Sequence, residues 1–318
     1  MRSSFVSGHV HKYCGWSFIF TEITLEPAVL GIRTMSSPPT DGYSYETLAV
    51  SVPKENVFHV QLNRPDKLNA LNKVLWREIG ECFNQLADDS DCRAVVLTAA
   101  GRMFTSGIDL SDLAMLAGIV MSDDDLARKC RAMRKVITTY QESFTSLEKC
   151  SKPIIAAVHN ACVGGGIDLI CSADIRYCSS DVWFQVKEVD VGLAADVGTL
   201  QRLPKIIGNE SLVRELSFSA RKMFSSEALQ CGFVSRIFAD KESLVEGALD
   251  MASTIASKSP VAVQTTKMAL VHARDHSVQE GLDYIFLDLW ISVVGIRDPR
   301  PSVLAVSKGL KSIYHQDM

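Results

Sequence analysis

Segments with the pattern of buried strands alternate along this chain with segments that have the pattern of amphipathic helices. The stretches NVFHVQLN, RAVVLTAAG and KPIIAAVHN are short, apolar and rich in β-branched residues, which is typical of strands. In NKVLWREIGECFNQLADD the apolar residues recur at helical spacing, and DDDLARKCRAMRKVITTYQESFTSLEKC is long and begins with acids that suit a helix N-terminus. This alternation predicts a domain of the α/β class.

The later part of the chain continues the alternation with shorter elements. IRYCSS, VWFQV and FVSRIFA are predicted as strands and LVRELSFSA as a helix, and the pattern is mostly helical from Leu244 onward. The 318 residues are enough for one large domain or two small ones.

Charge and cysteine content exclude several classes of function. The formal net charge is −4 and no block of Lys and Arg is present, which argues against a nucleic-acid partner. Nine cysteines without CxxC pairs indicate buried thiols in a reducing compartment and no disulfide framework. The histidines are scattered and form no HExxH, so no metal site is expected.

Both ends of the chain depart from the regular pattern. Residues 1–44 end in the Ser-rich and Pro-rich linker TMSSPPTDGYS and are predicted to be a targeting or disordered segment, although Glu22 and Glu26 are unusual for a mitochondrial presequence. Near the other end, YIFLDLWISVVGI contains Asp288 and is shorter than the ~20 residues that span a bilayer, so no membrane span is expected.

Two glycine-containing stretches, MFTSGIDL and VGGGIDL, each follow a predicted strand. Glycine allows close approach of a ligand to the backbone, and two converging amides could form an oxyanion hole for a carbonyl oxygen. Taken singly, either stretch is more simply a turn. VGGGID lacks the GxGxxG spacing of a dinucleotide site, and the GK[ST] of a phosphate-binding loop is absent.

Two acids stand in the stretch EVDVGLAADVGTLQRLP, where Glu188 and Asp196 have mostly apolar neighbours. Carboxylates are rarely buried without a partner, so these two require either an ion pair or a function. The structural alternative is a helix cap or a pair with a nearby cation. The candidate cations are Lys187, Arg176 and Arg202.

From about Tyr45 to about Tyr284 the chain resembles the crotonase superfamily, on the segments NRPDKLNALN, SGIDL, AAVHNACVGGGIDL and GTLQRLP. The resemblance implies an α/β crotonase fold, a spiral of ββα repeats followed by a C-terminal helical trimerisation region. It divides the chain into residues 1–44, a core of 45–254 and a C-terminal region of 255–318, whose tail is atypical from about 285. It also implies an acyl-CoA thioester substrate, no separate cofactor because CoA is part of the substrate, and a homotrimer or homohexamer.

The resemblance also assigns candidate site residues. The oxyanion amides fall on Ile108 and Gly165, within a substrate-binding set made of Ser106, Gly107, Ile108, Asp109, Leu110, Gly165 and Gly166. The catalytic carboxylates fall on Asp168 and Glu188, where related hydratases usually have glutamates. Ala195 and Asp196 replace a Pro-Gly step that is common in the hydratases.

The combination of Asp168, Glu188 and Asp196 is similar to superfamily members that isomerise 3,5-dienoyl-CoA to 2,4-dienoyl-CoA in unsaturated fatty-acid β-oxidation. The implied roles are α-proton removal by Glu188 and distal protonation by Asp196, because two separate acid/base groups suit the reach of that reaction. The alternatives are an enoyl-CoA hydratase, or a catalytically weak acyl-CoA-binding or interaction protein with an atypical C-terminus. The mitochondrial matrix is the expected location, and the peroxisome is compatible with the family, but the chain ends HQDM without an SKL-type signal.

Overall fold

The structure is a computed structural model and describes residues 42–285. These residues belong to one compact unit. The targeting segment predicted for residues 1–44 lies almost entirely outside the described residues. The atypical tail predicted from about residue 285 lies outside them as well.

The described strands form two sheets. In chain order they are β1 (Leu48–Lys54), β2 (Val57–Leu62), β3 (Ala94–Ala99), β4 (Ile154–Val158), β5 (Ala161–Val163), β6 (Ile175–Ser179), β7 (Trp183–Gln185), β8 (Met223–Phe224) and β9 (Arg236–Phe238). The larger sheet has the order β1-β2-β3-β4-β6-β9 and the smaller one β5-β7-β8. Strands β1 and β2 form an antiparallel hairpin, whereas the other neighbours in the larger sheet are parallel.

Helices follow or cover these strands. They are α1 (Lys73–Asp88), α2 (Leu110–Met121), α3 (Leu126–Lys149), α4 (Gly165–Cys171), α5 (Thr199–Ile207), α6 (Glu210–Ser219), α7 (Ser225–Gln230), α8 (Lys241–Ala256) and α9 (Pro260–Ala273). Short 3₁₀ turns lie at Pro65–Lys67 and Glu188–Val191. The expected border at residues 254 and 255 lies within α8.

The central strands β3 and β4 of the larger sheet are buried on both faces, which explains their nearly continuous apolar sequences. In β3, Val95 and Leu97 belong to the main core with α1 and α3, whereas Val96 belongs to a second core. Helix α8 supplies that second core with Leu244, Ala248, Ala252 and Ala256, one small or apolar residue on each turn. The small side chains allow the helix to pack closely on the sheet.

The α/β alternation and the buried cysteines that the sequence predicted are confirmed in residues 42–285. The α/β alternation is present, and the eight described cysteines are free, six of them buried. Asn72 caps α1 and Asp125 caps α3, each accepting a hydrogen bond from a backbone N–H of the first turn. Within the described part of the chain, no helix is both long and apolar enough to cross a bilayer.

Candidate active site

The segment 63–72 holds the first glycine loop in place. The Ser106 N–H donates to Leu68 O at 3.0 Å, and Thr105 Oγ1 donates to Asn69 O at 2.7 Å. The buried Asn69 side chain donates to Met103 O at 3.0 Å, which fixes the start of the loop. The motif NRPDKLNALN is therefore a scaffold for the loop, as its backbone and side-chain bonds show.

The Ile108 amide is directed away from this scaffold. Leu71 N–H donates to Gly107 O at 2.8 Å, and Asp109 N–H donates to Leu71 O at 3.0 Å. In such a parallel bridge the intervening residue, Ile108, points its own N–H to the opposite side. Among the described residues the Ile108 amide donates to no backbone acceptor, so it remains available to a ligand.

The two glycine loops meet. Gly107 has a φ of 91°, and a β-carbon at this position would lie 2.9 Å from Val163 O, so only glycine allows this approach. Gly164 has a φ of 52° and is the N-cap of α4. The amide of Gly165, the first residue of that helix, has no acceptor within the helix. The predicted amide donors at Ile108 and Gly165 thus belong to adjoining loops.

Two of the other predicted substrate-binding residues, Asp109 and Gly166, have visible structural roles. The Asp109 side chain caps α2 and forms an ion pair with Arg64 at 3.0 Å. A β-carbon on Gly166 would overlap the methyl group of Thr105, so Gly166 allows α4 to pack on the loop. Leu110 is exposed and Ser106 is half-buried. Their contact with a substrate remains a prediction.

Asp168 is the most deeply buried of the three candidate acids. It lies in α4 with 1% of its surface exposed, and its Oδ1 accepts a hydrogen bond from Thr199 N–H at 2.6 Å. Burial and, to a smaller extent, the charge of Asp196 raise the pKa of Asp168 to about 6, against the opposing effect of the Thr199 hydrogen bonds.

Glu188 lies next to the second glycine loop. It begins a 3₁₀ turn, and its Oε1 is 3.1 Å from the position that a β-carbon on Gly164 would occupy. Its Oε2 is buried and has no hydrogen-bond partner among the described residues. Burial, followed by the charges of Asp168 and Asp196, raises the pKa of Glu188 to about 7. An unpaired carboxylate with this pKa is suited to accept a proton near neutral pH.

Asp196 lies between the buried residues Ala195 and Val197, but its own side chain is exposed in the single chain. The expectation that apolar neighbours bury this acid is therefore wrong for the single chain, because the loop turns the carboxylate outward. Its partial burial still raises its pKa. Its backbone oxygen accepts a hydrogen bond from Gln141 Nε2 at 2.6 Å.

The structural alternative of an ion pair fails for all three acids. Arg202 pairs with Glu148, and Lys187 pairs with Asp190. Arg176 donates instead to backbone carbonyl oxygens. Within residues 42–285, none of the three candidate acids has an ion-pair partner. Their charges repel one another without a direct counterion, which favours protonation of at least one.

Sequence reasoning missed two residues that hold this cluster. The Thr199 amide binds Asp168, and the Gln141 side chain binds the backbone of Asp196. Thr199 lies in the segment GTLQRLP, whose Gly-Thr step before a helix was the available signal. Gln141 lies on α3 with no sequence signal that distinguishes it from other surface residues.

The described residues hold no group of three or more His, Cys, Asp or Glu side chains arranged to bind a metal ion. The site instead combines a base that titrates near neutral pH, two further acids and two amide donors on adjoining loops. This set can remove a proton beside a carbonyl group, stabilise the resulting enolate and return a proton elsewhere.

Comparison with known proteins matches this geometry to one family. The profile described as Enoyl-CoA hydratase/isomerase matches residues 53–285. The chain is 57% identical over 306 residues to the mitochondrial Delta(3,5)-Delta(2,4)-dienoyl-CoA isomerase of Pongo abelii, covering 95% of this chain and 92% of that protein. It is 42% identical over 257 residues to the peroxisomal Delta(3,5)-Delta(2,4)-dienoyl-CoA isomerase of Arabidopsis thaliana, covering 80% and 91%.

Solved structures show the same architecture. A crystal structure of an enoyl-CoA hydratase from Bacillus anthracis is 25% identical and superimposes with a TM-score of 0.71. The match covers 83% of this chain and 97% of the hydratase. The chain therefore shares its overall fold with this hydratase.

Proposed function

The chain belongs to the enoyl-CoA hydratase/isomerase family, and we propose that it isomerises 3,5-dienoyl-CoA to 2,4-dienoyl-CoA. The α/β crotonase fold expected from the sequence is confirmed by that membership and by the solved hydratase structure. The observation that carries the proposed reaction is the electrostatic cluster of Asp168, Glu188 and Asp196, in which no acid has an ion-pair partner among the described residues. Relatives at 57% and 42% identity are named for the same reaction.

The thioester carbonyl of the substrate binds the amides of Ile108 and Gly165. Both amides are positioned before substrate arrives, the first by the Leu71 bridge and the second by the start of α4. Negative charge develops on the thioester oxygen during the reaction, and preorganised N–H donors stabilise that charge more than they stabilise the neutral carbonyl.

Proton transfer then connects the two ends of the conjugated system. Glu188 takes a proton from C2, and the electron pair of that C–H bond spreads onto the thioester oxygen and along the diene as far as C6. Asp196, when protonated, gives a proton to C6, and the electrons return to form the C2=C3 and C4=C5 double bonds. Glu188 has then gained one proton and Asp196 has lost one, so the reaction needs no oxidant, metal or separate cofactor.

The resting enzyme must restore the proton to Asp196. Burial and mutual repulsion favour protonation of one acid of the cluster near neutral pH, and the productive form is the one with the proton on Asp196 and with Glu188 ionised. Asp196 exchanges protons with water because it is exposed in the free chain. The bound acyl chain of the substrate covers Asp196, and the loss of water around the carboxylate raises the pKa of Asp196 further. Asp168 either shares the proton network or, as an anion, orients the other two acids.

The assignment is tested by comparing two reactions of the same protein. Isomerisation of a 3,5-dienoyl-CoA, followed by ultraviolet absorbance of the conjugated 2,4-dienoyl product, is expected to exceed hydration of a 2-enoyl-CoA under matched conditions. Faster hydration would assign the chain to the hydratases. Binding of the CoA thioester without either reaction would identify a catalytically weak acyl-CoA-binding protein.

The role of the Ile108 backbone can be separated from that of its side chain. Ile108→Pro removes the amide hydrogen and is expected to lower kcat by about 10² to 10³, because loss of one oxyanion donor typically costs ~3 kcal/mol. Ile108→Ala keeps the donor and is expected to have a much milder effect. Circular dichroism checks that both variants fold, and equal losses in kcat would contradict a role for the amide.

The assembly is proposed to be a homotrimer or homohexamer. Its support is the apolar surface that the single chain leaves exposed at and after α9, where Leu270, Val278 and Leu282 face solvent. Contact between subunits would remove this surface from water. The described C-terminal region is helical, with α9 followed by a helical segment at residues 278–285.

The location is proposed to be the mitochondrial matrix, within the β-oxidation of unsaturated fatty acids. The support is the mitochondrial relative that aligns with 95% of this chain. The relative from Arabidopsis thaliana is named peroxisomal, so relatives named for this reaction include both organelles.

A further inference from the structure

One face of α3 carries three polar side chains that contact the segment between Asp196 and Arg202. Gln141 Nε2 donates to Asp196 O at 2.6 Å. Thr145 Oγ1 accepts from Arg202 Nη2 at 3.0 Å, and Glu148 Oε2 accepts from Arg202 Nε at 2.8 Å. Their spacing along the helix places the three side chains on one face. The segment that carries Asp196 and the Thr199 amide is therefore attached to α3 at both ends.

Glu148 is the centre of a partly buried ion network. Its second oxygen contacts Arg274 Nη2 at 2.6 Å, so one carboxylate binds two guanidinium groups. The side chains of Arg202, Glu148 and Arg274 are 12%, 15% and 24% exposed. Burial opposes ionisation of Glu148, but the hydrogen bonds from both arginines keep its pKa below the ordinary value. The network carries a net charge of +1.

Arg202 also fixes the start of α5. Its guanidinium fills the place that a β-carbon on Gly198 would occupy, and the φ of Gly198 is 139°. The next residue, Thr199, donates its N–H to Asp168. The arginine thus packs directly on the peptide that presents the donor to Asp168.

The charge state of Asp168 depends on the groups that surround it. Asp196 and Glu188 are acids that disfavour its ionisation, and Arg202 is the cation that favours it. Two thiols also face Asp168, Cys162 from β5 and Cys171 from α4. Both are neutral because burial raises the pKa of each.

We propose that Arg202, Glu148 and Arg274 form a positioning network that keeps the Thr199 amide on Asp168 and holds Asp168 as an anion. Arg202 acts through Thr199 and through its charge, and it does not contact the substrate. The consequence for turnover rests on the proposed isomerase function, whereas the consequence for Asp168 itself does not.

The network predicts that two substitutions in the full-length chain shift the pH dependence of kcat in opposite directions. Arg202→Gln removes a positive charge, so Asp168 is harder to ionise. The acidic limb that follows Asp168, at about pH 6 and below the Glu188 step at about pH 7, is expected to move to higher pH in the kcat profile by roughly one unit. Glu148→Gln leaves two arginines without their counterion, so Asp168 ionises more easily and the limb is expected to move to lower pH. Arg202→Lys keeps the charge and should leave the limb near its original position.

A second measurement avoids turnover. Infrared difference titration, with the carboxyl band of Asp168 assigned by comparison with Asp168→Asn, reports its ionisation in the absence of substrate. The midpoint is expected to rise in Arg202→Gln and to fall in Glu148→Gln. If the parent lacked isomerase activity, the proposed function would fail while this titration still tested the network.

An exposed ion pair provides matched controls. Arg214 and Glu210 pair on α6 at 2.9 Å with both side chains exposed, so Arg214→Gln and Glu210→Gln repeat the two charge changes at the surface. Solvent and salt screen such a pair, and both controls are expected to leave the kcat profile and the Asp168 titration unchanged.

A purely structural role would give a different pattern. Lower kcat at every pH with no shift of the limb, or shifts of the same direction in Arg202→Gln and Glu148→Gln, would overturn the proposal. If Arg202→Gln does not fold, Glu148→Gln and Arg202→Lys decide the test. A shift of the acidic limb to lower pH in Glu148→Gln, with no shift in Arg202→Lys, supports the network. No shift of the limb in Glu148→Gln overturns it.

Discussion

Glu188→Gln is expected to lower the isomerase kcat by about 10² to 10⁴, because it removes the base that takes the C2 proton. The glutamine keeps nearly the same volume and the position beside Gly164, so binding of the CoA thioester should change little. In the parent protein kcat/KM is expected to fall as the pH drops below about 7, where the buried carboxylate becomes protonated. Rapid isomerisation by Glu188→Gln would show that another group is the base.

The same substitution is expected to make the folded protein more stable in alkaline solution. Folding raises the pKa of Glu188 from 4.5 to about 7, so the unfolded chain gives up this proton more easily than the folded protein. The stability cost of ionising Glu188 therefore develops as pH rises from about 4.5 to about 7 and persists above it. Glutamine at position 188 avoids this cost. The melting temperature of the Glu188→Gln protein should therefore exceed that of the parent at pH 8 but not at acid pH.

Glu210→Gln is the control for this result, because Glu210 is exposed on α6. It should change neither kcat nor the pH dependence of the melting temperature. A Glu188→Gln protein that melts well below the parent at pH 8 would mean that the carboxylate has a stabilising partner. Among the described residues Glu188 has no ion-pair partner and its Oε2 has no hydrogen-bond partner, and the backbone hydrogen bonds at Glu188 and Lys187 only partly offset the effect of burial on its pKa.

The elements that the sequence predicted well are those whose burial follows a simple period. Helix α1 has one apolar face, and β3 is an apolar run because both faces of its sheet are covered. Helix α2 was missed because LSDLAMLAGIVM is apolar on most sides and offers no period, and several of its apolar residues remain exposed in the single chain. Helix α5 was missed because Pro204 lies inside it.

The candidate site also has a part that the sequence predicts and a part that it does not. The candidate acids and amide donors were predicted from motifs, since a family motif preserves residue type and order, and their roles stay predictions. The partners of these groups did not follow, because the Thr199 bond to Asp168 and the Gln141 bond to Asp196 join segments that are distant in the chain. The exposure of Asp196 also depends on how its loop turns, which the apolar neighbours alone do not determine.

Asp196→Asn is expected to lower kcat by about 10² to 10⁴ while KM and thermal stability stay close to the parent values. The loss follows from removal of the acid that protonates C6. Stability should persist because Asp196 is exposed and has no ion-pair partner among the described residues, and such surface changes usually alter the free energy of unfolding by less than about 0.5 kcal/mol. Loss of a partner from a buried ion pair would instead cost ~3 to 5 kcal/mol.

Hydrogen exchange at the substrate separates the two proposed acid/base groups. In D₂O, Asp196→Asn should still exchange the C2 hydrogen of the 3,5-dienoyl-CoA, since Glu188 and the amide donors are intact, but it should form little 2,4-dienoyl product. Glu188→Gln should lose both exchange and product formation. Asp190→Asn is the matched control, because Asp190 is an exposed acid on the same segment whose partner is Lys187, and it should keep full turnover. Full isomerase activity in Asp196→Asn would remove the distal proton donor from the mechanism, and loss of C2 exchange would place Asp196 at the first proton transfer instead.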